Sequence, residues 1–198
     1  MRISTLFKMQ IQRNPNVFYF DGQIHIPFNR VAETLGLAIE RGLNAIFFTG
    51  YGDTQNFDCI SSNTSPDGKA DVFGFDYGIE HISPVHLRLY SHKGVIELLK
   101  AEEIKTRHGH LLAWGIHNPI NNGLTLEDTL KEIFKQGGVA VFPHLLAKLF
   151  HGCGRDAFIE ARTKFSDHPV GLEVNGQIPY SGGVIPGVGS NDWVASLA

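Results

Sequence analysis

With 198 residues, 42% of them apolar and 19% charged, the chain reads as a single globular domain over residues 1–198, and neither disorder nor a membrane span fits it. Its 17 basic and 20 acidic residues leave a net charge of −3, which argues against nucleic acid as a partner while leaving room for a local pocket that takes one phosphate. Cys59 and Cys153 are too few for a disulfide framework, and the opening MRISTLFKMQIQRN is broken by Lys8, Gln10 and Gln12, so a reducing cytoplasm is the expected setting.

The first apolar segments, Val17–Phe20 and Gln23–Ile26, read as one strand interrupted by Asp21-Gly22. Val31–Arg41 carries apolar residues at helical spacing and stops at Gly42. Asn44–Thr49 (NAIFFT) is the short apolar run of a strand buried on both faces. Gly52–Ala70, rich in Ser, Asn, Asp and Gly, is the one long irregular stretch, of a kind that is usually functional or mobile. Val95–Ala101 is expected to be a short helix leading into a hairpin around Arg107–Gly109. Thr125–Gln136 begins with a Thr cap and acidic residues in its first turn, and ends at Gly137-Gly138. Val139–Phe142, Val170–Val174 and Val184–Val188 are three further β-branched segments. Strands separated by helices predict a mainly parallel α/β arrangement, with a barrel and an open sheet as equal alternatives.

Several strand ends carry metal-ligand chemistry. Glu103 and His110 stand seven positions apart across the hairpin, in EEIKTRHGHLLAWGIH, where a carboxylate and an imidazole can converge on a hard or borderline divalent ion. His25 closes the first strand, His144 follows Val139–Phe142, and Asn191 and Asp192 follow the last glycine-rich segment. Each alone has a structural explanation; together, on successive strands, they are expected to meet at one mouth of the sheet. His81, His86, His92, His108 and His168 read as surface or structural residues.

The order of these segments resembles the polymerase and histidinol phosphatase (PHP) family. The family's opening Asp-Leu-His-x-His is similar to Asp21-Gly22-Gln23-Ile24-His25, and Gly42-Leu43-Asn44-Ala45-Ile46-Phe47-Phe48-Thr49-Gly50-Tyr51 to its Gly-Leu-Asp-Ala-Ile-x-x-Thr-Asp-His. Glu103 precedes Gly109-His110-Leu111-Leu112-Ala113 as the family's Glu precedes its Gly-His-Leu-Leu-Ala. Gly137–His144 resembles the Gly-Gly-Val-Ala-Val-x-x-His strand, Gly171–Gly176 the Gly-Ile-Glu-Val strand, and Gly189-Ser190-Asn191-Asp192-Trp193 the closing Gly-Ser-Asp-x-His. The resemblance runs over most of the chain and is weakest across Gln55–Lys100. It implies a distorted seven-stranded, TIM-like β/α barrel, short of its last helix if the chain ends where the sequence does. It also implies a cluster of up to three divalent metals (manganese, zinc or iron) and hydrolysis of phosphoesters.

The departures bear on the same chemistry. Gln23 stands for the first His, Gly50-Tyr51 for an Asp-His pair and Trp193 for the final His, and the Asp expected in Ile26–Arg30 has no counterpart. The resemblance therefore implies loss of one metal, with Tyr51 and Trp193 filling its space. Glu103, His110 and His144 remain as the full set for another, and His25, Glu103, Asn191 and, by a one-residue shift, Asp192 as a weakened set for a third. An amide oxygen such as that of Gln23 brings no charge and binds a divalent ion less tightly than a carboxylate. With fewer metals, the leaving oxygen would fall to Arg155, Lys148, His151 or His117, of which Arg155 and His151 are the chosen catalytic candidates; Arg suits phosphate through its bidentate fork. Glu80, in Gly78-Ile79-Glu80, competes with Glu103 for the ligand role. Two functions stay open: a metal-dependent phosphoesterase acting on a small phosphorylated metabolite or nucleotide, and a catalytically inactive binding module of the same fold. A metal-free α/β barrel is the third reading. The sequence leaves the oligomeric state undetermined.

Overall fold

The computed structural model describes residues 17–65, 67–68, 71–73, 77–145 and 151–173; Lys148, Asn191, Asp192, Trp193 and the expected strand Val184–Val188 lie outside them. In chain order the elements are β1 (Phe20–Ile24), α1 (Val31–Arg41), β2 (Ala45–Tyr51), α2 (Gln55–Ser61), β3 (Gly78–Ser83), β4 (His86–Ser91) and β5 (Gly94–Thr106). They continue with β6 (Gly109–Trp114), α3 (Leu126–Lys135), β7 (Val139–Phe142), α4 (Arg155–Lys164) and β8 (Val170–Leu172). The protein is of mixed α/β class. Among the described residues no helix is long and apolar enough to cross a membrane.

One sheet joins the strands in the order β1-β2-β5-β6-β7-β8, with the β3–β4 hairpin attached through β4 to β5. The expectation of mainly parallel pairing is corrected here. β1–β2, β2–β5 and β7–β8 are parallel, whereas β3–β4, β4–β5, β5–β6 and β6–β7 are antiparallel. The cause is local: the two-residue turn at Arg107-His108 is too short for a crossover, so β6 must return beside β5. Two reversals restore direction, so β1, β2, β5, β7 and β8 all run the same way. Their C-terminal ends share one edge of the sheet with the start of β6.

The helices follow the sequence where caps dictate them. α1 ends at Gly42 with φ 84°, and the Leu43 N–H reaches back to the Ala38 carbonyl at 3.0 Å, closing the last turn. α3 starts at Thr125, whose hydroxyl accepts the Asp128 N–H at 3.1 Å.

Two expectations fail. Gly52–Ala70 contains α2, because Phe57 and Ile60, three apart, both enter the core and anchor a helical turn within a polar stretch. Val95–Ala101 is part of the 13-residue strand β5 rather than a helix. There Ile96 and Leu98 are buried with Lys100 on one face while Val95 stays exposed, the alternation of a strand.

One sheet face carries the core. Ile46, Phe48, Leu87, Leu89, Ile96 and Leu98 pack with Leu35 and Val31 of α1 and Phe57 and Ile60 of α2. Further along, Ile104, Leu111, Ala113, Ala140 and Phe142 pack with Leu130 and Ile133 of α3 and Phe158 of α4. Each such buried Val, Leu, Ile or Phe side chain contributes roughly 1.5–3 kcal/mol. Strand alternation sends the intervening residues to the opposite face. There Phe47 stacks on Trp114 at 4.1 Å between centroids, and there Glu103 and His110 emerge.

Candidate metal centre

β5 carries two successive carboxylates, Glu102 and Glu103, and alternation separates them. Glu102 turns to the helical side, where one oxygen accepts the Ile120 N–H at 3.0 Å. Glu103 turns to the other face. It pairs across β5–β6 with Leu112, while His110 pairs with Lys105, so Glu103 and His110 are diagonal neighbours on one face. Their side chains meet: Glu103 Oε1 lies 2.6 Å from His110 Nδ1.

His144, two residues past β7, brings Nε2 to 3.6 Å from the same oxygen. Glu103, His110 and His144 are all buried, and one ligand atom from each lies within 4.8 Å of the others. The three residues expected as a metal set are brought together. On the other side of the carboxylate, Glu103 Oε2 lies 2.8 Å from His25 Nε2 and accepts a 2.9 Å hydrogen bond from Gln23 Nε2.

β1 delivers Gln23 and His25 through a break in its register. Pairing with β2 shifts between Asp21 and Ile24, so the expected break at Asp21-Gly22 is a bulge within one short strand, Phe20–Ile24. Gly22 leaves room for the Trp114 ring: a Cβ there would sit 2.6 Å from it, so ring or strand would have to shift.

The far wall is the segment from His151 to Gly154. The His110 N–H donates to the His151 carbonyl at 2.8 Å, and Cys153 Sγ donates to the His110 carbonyl at 3.1 Å. This packing needs glycine at 109, whose φ is +132° and whose Cβ would lie 2.4 Å from the His151 oxygen. His151 itself is exposed, and its ring stacks on His110 at 5.2 Å. Among the described non-glycine residues only Asn63, His144 and His151 have positive φ, so two of the three strained backbones lie at this cluster.

The charges favour an ionised Glu103. Burial pushes its carboxyl up, but hydrogen bonds from His144 and His25 and the charge of His110 and His25 hold it well below the usual carboxylate range. The bond to Glu103 raises His25 above the ordinary imidazole value, against its partial burial. Burial lowers His110, with repulsion from His144 and His151 adding to it, and Glu103 opposing. A buried carboxylate beside two buried imidazoles suits a borderline divalent ion in chemistry, spacing and charge.

Two contributors escaped the sequence reading. Glu173, just after β8, accepts the His144 N–H at 2.8 Å and so fixes the turn that carries that imidazole. Burial raises its carboxyl, and Glu103 and Asp21 add to the rise. Its sequence signal was the likeness of Gly171–Gly176 to a family strand, which carried no ligand role. Tyr51 is the second, through its contacts: the sequence reading placed it here only as filling the space of a lost metal. Its ring meets His25 and His110 edge-on at 5.8 Å each, and its Oη lies 3.4 Å from His110 Nε2.

Glu80, the rival ligand, is engaged elsewhere: Arg88 and Tyr90 both donate to its carboxylate on the β3–β4 hairpin. Arg155 is exposed at the first position of α4, four residues beyond His151. His86, as expected, is structural, 2.7 Å from Glu97. No family model matches the chain, and no curated protein matches it.

Proposed function

We propose that the protein is a metal-dependent phosphoesterase with a reduced site, acting on a small phosphorylated metabolite or nucleotide. The observation that carries this reading is the buried Glu103-His110-His144 cluster at the shared C-terminal edge of the strands. The motif order that resembles the PHP family, and the common direction of β1, β2, β5, β7 and β8, support a distorted β/α barrel of that type. Glu103, His110 and His144 would hold a divalent ion of the manganese, zinc or iron class, which would supply Lewis-acid polarisation of a phosphoryl oxygen and a nucleophile at neutral pH.

The chain's own residues do the rest. Glu103 brings the negative charge, and His110 and His144 bring neutral nitrogen donors whose burial keeps water from competing. Glu173 fixes the His144 backbone. In this reading His151, exposed and stacked on His110, donates a proton to the leaving oxygen, and Arg155, at the start of α4 four residues further on, is the candidate cation for the phosphate.

A second reading, a non-catalytic binding module, is favoured by the Gln23-His25-Glu103 contacts. Gln23 Nε2 and His25 Nε2 both turn to Glu103 Oε2, the oxygen that a neighbouring second metal would need. The sequence departures at Gln23 and Tyr51 point the same way.

The test is metal analysis of protein purified without chelator, beside a general phosphatase assay with manganese and with zinc. Wild type and Glu80→Ala should retain metal and activity, while Glu103→Ala should lose both, without rescue by added manganese. A wild type that binds no metal and hydrolyses nothing fails the enzyme reading. Activity that survives Glu103→Ala fails the site assignment.

A further inference from the structure

The two nitrogens of His110 face opposite ways. Nδ1 points at Glu103 Oε1, 2.6 Å distant, and into the cluster; Nε2 points at the Tyr51 hydroxyl, 3.4 Å distant. Imidazoles that hold a metal through one nitrogen are oriented by a partner on the other, which fixes ring angle and tautomer. We infer that Tyr51 is the positioning residue for His110: its hydroxyl bonds Nε2 and thereby keeps Nδ1 aimed at the cluster.

The inference rests on three features. β2 and β5 are in parallel register with Tyr51 beside Glu103, so the phenol leaves the sheet on the same face as the carboxylate and next to it. Its ring is braced edge-on between His25 and His110, which limits where the hydroxyl can go. With Tyr51 in place the His110 side chain is only 8% exposed, so the phenol hydroxyl, not bulk water, is the neighbour of Nε2.

A phenol also suits the change that metal loading demands. Without metal, a proton on Nδ1 donates to Glu103 and Nε2 accepts from the Tyr51 O–H. A divalent ion bound through Nδ1 would displace that proton, the neutral ring would then carry its proton on Nε2, and the same phenol oxygen would accept it. A hydroxyl can serve in both senses, as donor and as acceptor. A carboxylate in its place could only accept.

This inference rests on the metal reading for its use but not for its geometry, and the experiment separates the two. Tyr51→Phe keeps the ring and removes only the hydroxyl; at a residue 61% exposed it should fold normally. In metal-free protein, the His110 Nε2 resonance in ¹⁵N spectra should move toward that of an unbonded imidazole nitrogen. Zinc or manganese titrated by calorimetry should bind Tyr51→Phe about 10-fold more weakly than wild type. In zinc-loaded wild type the Nε2–H signal should persist, and in the variant it should be lost to exchange. An Nε2 resonance that does not move, or an affinity within twofold of wild type, overturns the inference. A wild type that takes neither metal while the resonance still moves overturns the metal reading and leaves the Tyr51–His110 bond standing.

Discussion

Glu102 offers a test of the register that makes the site. Its side chain is fully buried on the helical face, one oxygen holds the Ile120 N–H, and Oε1 has no hydrogen-bond partner among the described residues. Burial raises its carboxyl from 4.5 to about 7; the Ile120 N–H opposes the rise, Asp53 adds to it and Lys100 counters it. A folded pKa above the unfolded one means that stability is greatest below about pH 4.5 and is lost as pH rises through about 7. At roughly 1.4 kcal/mol per pH unit, charging Glu102 costs the fold about 3 kcal/mol between pH 4 and pH 8.

Glu102→Gln removes the titration and keeps an oxygen for Ile120. The amide leaves its own N–H₂ without a partner, a constant penalty of about 1–3 kcal/mol that does not change with pH. The measured quantity is therefore the difference in unfolding free energy between variant and wild type, from urea curves of metal-free protein at each pH unit from 4 to 8. That difference should rise by about 3 kcal/mol in favour of the variant, or about 1.5 M in urea midpoint for an m value of about 2 kcal/mol/M. Glu103→Gln should bend the other way. Burial pushes Glu103 up, but its histidine partners hold it below the ordinary range, so its charge stabilises above about pH 4.5 and that support fades as pH falls. A flat Glu102→Gln difference across this range would mean that Glu102 is not buried. The facing of Glu103 toward His110 would fall with it.

Gln23→His should raise metal occupancy per chain above that of wild type, because an imidazole nitrogen replaces an amide that now donates to Glu103 Oε2; unchanged occupancy by metal analysis would place the limit elsewhere. Gly22→Ala should destabilise the fold by about 1–3 kcal/mol in the same urea assay, since its Cβ would meet the Trp114 ring at 2.6 Å. The same change should displace Gln23 and His25, and with them the environment of Glu103, visible as an altered His25 titration by NMR.

The parts of the fold legible in the sequence were those under local control. α1 and α3 are bounded by Gly42 and Thr125, and the apolar runs of β2 and β7 admit little but a buried strand. Residues 95–101 misled because VIELLKA satisfies helical spacing as well as alternation, and pairing with β2, β4 and β6 decides for strand. α2 was hidden because two apolar residues among polar ones give no periodic signal until the core they enter is known. The β3–β4 hairpin escaped because its outward face is held by a polar set, Glu80, Arg88, Glu97 and His86, rather than by an apolar stripe. At the site, the ligand types at strand ends were readable. Tyr51 and Glu173 act through contacts 59 and 29 residues away in sequence, which no local pattern contains.

The cluster depends on one reversal of chain direction. In an all-parallel sheet, residues seven apart on one strand and its crossover would sit at opposite ends of their elements. The Arg107-His108 turn instead folds β6 straight back on β5, so the end of one strand and the start of the next occupy the same edge. Glu103 and His110 then face each other across a diagonal of the ladder, and only a pairing with this parity puts both on the face away from the helices. β7 returns to the common direction and delivers His144 to that edge; β1 and β2 deliver His25 and Tyr51. A slip of one residue in β5 would turn Glu103 into the apolar core and present Glu102 to the histidines. The burial of Ile104, Leu98 and Ile96 on the helical face, at roughly 1.5–3 kcal/mol each, is what forbids that slip. The hydrophobic pattern of β5 thus selects which of two adjacent carboxylates becomes the candidate ligand.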